Sequence, residues 1–132
     1  MRYILMMHTP RGTGEYQHHS WSPDKWEAHL DYLRRLNADL AERGELVGIE
    51  ALTPPAQAKL VRAGSGGMAA ETDGPFAETK EFLAGFWVID VEEPERAYEI
   101  AAIASAAPGP DGSPLRMPIE VRQVMRGPSA DL

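Results

Sequence analysis

The chain contains no cysteine. That excludes disulfides, thiolate metal centres and a cysteine nucleophile together, and leaves stability to packing and to association between copies. No run approaches the roughly 18 consecutive apolar residues of a membrane-crossing helix. The opening segment MRYILMMHTP is too short for a span, and no small-residue cleavage site follows it. Clusters of lysine and arginine are missing too. The 13 basic residues are scattered among 20 acidic ones, giving a net charge of −7 and a pI near 5.0. Phosphate backbones and anionic lipids are bound through basic clusters, so neither nucleic acid nor a membrane is an expected partner, and the simplest setting is the cytoplasm.

What is present is ordinary for a soluble protein: 43% apolar and 25% charged residues in 132. That length suits one domain, read as residues 1–126 with a flexible tail at 127–132. Alternation in the first ten residues predicts a strand in the middle of a sheet. Residues 9–20 carry Pro10, Gly12, Gly14, His18 and His19, the composition of a surface loop. Ser22 followed by Pro23 and Asp24 marks a helix start, and Gly44 its left-handed stop. Between them Trp26, Leu30, Leu33, Leu36 and Leu40 form one core-facing stripe that also holds His29 and Asn37.

GELVGIEALTPP predicts a second strand ended by prolines, and 59–62 with 68–71 a hairpin turning through Gly64, Gly66 and Gly67. FWVIDV is a further strand. Pro94 opens a second helix whose shallow face is Ala97, Ile100, Ala101 and Ala104, and Pro108 to Pro110 end it. Residues 118–125 alternate as a last strand. This order matches an α+β split βαβ arrangement, an antiparallel sheet with two helices on one face. The other face would expose apolar surface in a monomer, so a homodimer is expected.

The segment DGPFAETKEFLAGFWVIDV, residues 73–91, closely resembles the signature of the DGPF branch of the YCII-related family, and MRYILMM, GELVGIEALTPP and IEVRQVM resemble that family's first, second and last strands. The resemblance implies a ferredoxin-like fold that dimerises face to face as a dimeric α/β barrel. It implies either small-molecule chemistry of the lyase or isomerase kind, or a non-catalytic ligand-binding or accessory module of sigma-factor systems. The positions that resemble the histidine and aspartate of such enzymes are His29 and Asp73.

The residues themselves make His29 a candidate general base, since an inward imidazole titrates near neutral pH; the plainer alternative is a hydrogen-bonded core histidine. Asp73 precedes Gly74 and Pro75, so turn chemistry alone accounts for it, but Glu78, Lys80 and Glu81 beside it make a charged cluster. Glu78, Lys80 and Arg122 are candidate substrate contacts, Arg122 through its bidentate fork or else paired with Glu120. Pro75 and Phe76 read as turn and core residues. The spacing of His8, His18, His19 and His29 fits no metal-ligand motif, and no phosphate-binding loop or dinucleotide fingerprint is present, so no cofactor is expected.

Overall fold

The computed structural model describes residues 1–10, 21–74 and 81–125. The predicted loop with His18 and His19, the residues Pro75, Phe76, Glu78 and Lys80, and the tail at 127–132 lie outside them. Among the described residues six strands and two α-helices run in the order β1 (Arg2–Pro10), α1 (Pro23–Glu42), β2 (Leu46–Ala51), β3 (Lys59–Ala63), β4 (Ala69–Asp73), β5 (Glu81–Asp90), α2 (Pro94–Ser105) and β6 (Ile119–Gln123). Four strands form an antiparallel sheet in the order β2-β5-β1-β6, and β3 and β4 pair separately as a hairpin. The four-stranded order and its two crossover helices are those of a ferredoxin-like fold, with the hairpin set between β2 and β5.

Alternation decides which side of the sheet is covered. Tyr3, Leu5 and Met7 of β1 and Trp87 and Ile89 of β5 point one way and are buried in a single cluster with Leu36 and Leu40 of α1 and Ala97, Ile100, Ala101 and Ala104 of α2. Both helices therefore pack on the same face, and the predicted alanine-rich face of α2 is the buried one. The small side chains let that helix sit close to the sheet. On the other face Ile4, Met6, Phe86 and Val88 remain half-buried. One row across it reads Glu50, Phe86, Met6, Glu120 and the next Gly48, Val88, Ile4, Arg122, so apolar side chains occupy the centre and three of the four edge positions carry a charge.

Local chemistry sets the boundaries. Gly44 takes φ +74° just after α1, and Glu45 then turns the chain into β2, with Glu45 N–H donating to the Leu40 carbonyl over 2.9 Å. At Gly85 any Cβ would stand 2.8 Å from the Glu50 carbonyl oxygen, so the bare backbone is what admits β2 alongside β5. The start of α1 departs from expectation. Ser22 is the N-cap, but its hydroxyl makes no capping bond; only its carbonyl accepts, from Trp26 N–H over 3.0 Å.

Candidate functional site

The start of α1 is fastened by aromatic rings. Trp21, one residue before the N-cap, packs edge-on against Trp26 with centroids 5.3 Å apart and planes at 84°, the N′ to N4 contact of a hydrophobic staple. One turn further along, His29 stacks on Trp26 at 5.4 Å and 14° and meets the edge of Trp21 at 5.2 Å and 71°. Only 5% of His29 is exposed.

Its Nδ1 lies 3.0 Å from the Pro108 carbonyl oxygen. A carbonyl only accepts, so Nδ1 carries the proton and donates. Burial pushes the imidazole below its ordinary pKa, with the Pro108 hydrogen bond opposing in part, so the ring is neutral at pH 7. In a neutral ring whose Nδ1 is protonated, Nε2 bears the lone pair, and among the described residues nothing hydrogen-bonds to it. A proton acceptor of fixed tautomer results.

The Pro108 carbonyl is itself held. The segment between α2 and β6 closes on a bridge between Pro108 and Pro114, on Gly109 N–H to the Ser113 carbonyl at 2.8 Å, and on Leu115 N–H to the Ala107 carbonyl at 2.8 Å. The Asp111 carboxylate accepts from the Ser113 hydroxyl at 2.6 Å and its N–H at 3.0 Å, which holds that carboxyl below its usual range. Ser105 Oγ donates to the Met117 carbonyl at 2.6 Å, tying the end of α2 to the approach to β6. Arg116, exposed, sits at φ +57°, a conformation that costs a side-chain-bearing residue of order 1 kcal/mol or more.

Of the other expected residues, Asp73 and Arg122 are described. Asp73 ends β4 opposite Lys59, whose ammonium donates to its carboxylate, and its side chain is 87% exposed. Gly74 N–H donates to the Ala58 carbonyl at 2.7 Å, closing the base of the hairpin. Among the described residues no hydrogen bond or ion pair joins His29 to Asp73. Arg122 projects from β6 beside Ile4 on the uncovered face, with the sheet between it and the helix side where His29 is buried. On that same face His8 Nε2 and a Glu120 carboxylate oxygen are 2.9 Å apart. Glu78 and Lys80 lie outside the described residues. Two surface recesses, about 330 Å³ along Pro110 to Leu115 and about 700 Å³ between Met1, Arg43, Glu45, Asp90 and Arg96, have neither His29 nor Asp73 in their walls.

Trp21 and Pro108 were not among the candidates. The tryptophan had a readable signal, an aromatic at N′ with another at N4 around Ser-Pro. The proline had none, since its role is a backbone carbonyl placed by a loop 79 positions from His29.

The model of the YCII-related domain matches residues 1–109. A protein of Rhizobium meliloti (strain 1021), described as uncharacterised, is 35% identical over 94 residues, covering 71% of this chain and 75% of that one. The order of elements, the DGPF segment and these matches agree, and the chain belongs to the YCII-related family.

Proposed function

We propose that this protein performs acid–base chemistry, an elimination or an isomerisation, on a small organic molecule, with His29 Nε2 accepting the proton and the working unit a homodimer joined through the uncovered sheet face. One observation carries the reading: the Nδ1 proton of His29 is committed to the Pro108 carbonyl at 3.0 Å, which leaves Nε2 as an unprotonated base in a mostly apolar setting. The dimer rests on the apolar centre of the face formed by Ile4, Met6, Phe86 and Val88, which association would remove from water.

The test is proton–deuterium exchange at carbon across a panel of small enolisable carbonyl compounds. A substrate exchanged by the wild type should lose roughly 10²–10⁴-fold in rate with His29→Gln, the usual contribution of one general base. Unchanged exchange in that variant would refute the assignment.

A second reading is a module that binds a small ligand without turning it over, in an accessory role such as that of sigma-factor systems. It is favoured by Asp73, whose carboxylate is engaged by Lys59 and not by His29. Saturable binding with no exchange in any member of the panel would establish it. Asp73→Asn separates the two further, since a rate loss matching that of His29→Gln would mean the carboxylate serves the base.

A further inference from the structure

We infer that the Thr9 hydroxyl is a ligand-binding donor, aligned with His29 at one end of the layer between helices and sheet, and that the ligand it takes is a planar carbonyl compound with an acidic C–H beside the carbonyl. This rests on the reading of His29 as a base and adds the group that would hold the oxygen.

Thr9 is 3% exposed, and its Oγ1 is, among the described residues, the one buried side-chain nitrogen or oxygen with no hydrogen-bond partner. A threonine at a core position costs an unpaired hydroxyl that valine, of the same shape, would not. Its place in the strand gives the side chain its direction. Tyr3, Leu5 and Met7 are buried beneath the helices, and Thr9 continues that alternation, opposite Phe82 on β5. The hydroxyl therefore faces the helix side of the sheet.

The topology brings His29 to the same end. The C-terminal end of α1 is fixed at the start of β1, because Asp90, paired with Arg2, donates its N–H to the Glu45 carbonyl at 2.8 Å. From there α1 runs back for 20 residues, about 30 Å at 1.5 Å per residue, which is also about the length of a nine-residue strand. Its first turns thus lie at the end of the helix layer that corresponds to the Thr9 end of β1. The far anchor agrees: Pro108 follows α2, Ser105 is tied to Met117, and Ile119 pairs with Met7, two residues from Thr9.

Two polar groups at this end then lack partners of their own among the described residues, the Nε2 lone pair of His29, whose ring packs on Trp21 and Trp26, and the hydroxyl of Thr9. They are complementary to one kind of chemistry. As the imidazole takes a proton from carbon, the electron pair left behind moves onto the carbonyl oxygen, and the hydroxyl donates to the enolate oxygen so formed. Where a C=C lies β,γ to the carbonyl, return of the proton from Nε2 to the γ-carbon moves the double bond into conjugation and restores the C=O, completing an isomerisation with no oxidant or co-reactant; without it, the same two steps give exchange at the α-carbon.

Phenol, a planar molecule whose oxygen resembles that of an enolate, is the probe. It is titrated into the full-length protein, with the His29 imidazole nitrogen resonances and tryptophan fluorescence recorded, for the wild type, Thr9→Val, Thr9→Ser and His29→Gln. Thr9→Val should raise the thermal midpoint of the free protein, since an unpaired buried hydroxyl is replaced by a methyl group, and should weaken phenol binding at least tenfold; Thr9→Ser should retain binding. A Thr9→Val protein that binds phenol as the wild type does, or a wild type that shows no saturable binding, overturns the inference. Loss of binding in His29→Gln alone, with Thr9→Val unaffected, overturns the role of Thr9 and leaves that of His29 standing. Loss in Thr9→Val with His29→Gln unaffected supports the donor and removes the base.

Discussion

The indole N–H of Trp87 donates to Asn37 Oδ1 across 2.8 Å, joining the middle of β5 to the inner face of α1. Trp87 is 3% exposed, so the bond is made where water cannot replace it easily. Asn37→Leu should cost about 1–3 kcal/mol, the penalty for stranding a buried donor, read as a lower urea midpoint at unchanged slope. Adding Trp87→Phe should cost less in that background than in the wild type, because the orphaned N–H leaves with it.

Acid should loosen the start of α1 through His29. Its pKa is depressed by burial, so in the folded state it resists the proton that the unfolded chain accepts near pH 6.5. The stability from the neutral ring is therefore fully present above about pH 6.5 and is lost as pH falls through the folded value. Urea melts of wild type and His29→Gln between pH 8 and 5 check this. The wild-type curve should fall more steeply, and equal slopes would contradict the shift.

Glu45 and Arg96 form a two-bond fork, Nε to Oε2 at 2.9 Å and Nη2 to Oε1 at 2.8 Å, with side chains only 17% and 22% exposed. It fastens the start of β2 to the first turn of α2. Arg96→Met should destabilise by roughly 1.5–3 kcal/mol, as for hydrogen bonds to charged groups, and the double variant with Glu45→Gln by less than the sum. Arg96 holds the Glu45 carboxyl below its usual range, so this contribution is present above the ordinary glutamate pKa and fades as pH drops through the folded one.

For the proposed dimer, Phe86→Lys is the decisive change, since Phe86 sits at the centre of the uncovered face opposite Met6. Sedimentation equilibrium at micromolar concentration should show the wild type as a dimer and the variant as a folded monomer. A wild-type monomer would remove the homodimer from the proposal.

The fold was legible because its signals are local and periodic. The α2 face of Ala97, Ile100, Ala101 and Ala104 is the buried one, and Gly44 ends α1 in the left-handed region as its position implied. The β5 strand extends further back than FWVIDV, to Glu81, because pairing with β1 carries it past the most β-prone residues. The site was less legible. Asn37 and His29 share one core-facing stripe in the sequence, but nothing there shows that the asparagine serves an indole from another element. A sequence carries periodicity, but not the identity of a partner delivered by tertiary contact, and Pro108 and Trp87 are both of that kind.

Strands β2 and β5 are direct neighbours, with Ala51 facing Gly85, yet residues 52–80 are threaded between them and the hairpin of β3 and β4 contributes no residue to the buried cluster. The register of that strand pair is set by β1 and by the two helices rather than by a turn. The hairpin of β3 and β4 is a natural splice point, where one of different length or a reporter peptide can be exchanged while the four-stranded sheet keeps its frame.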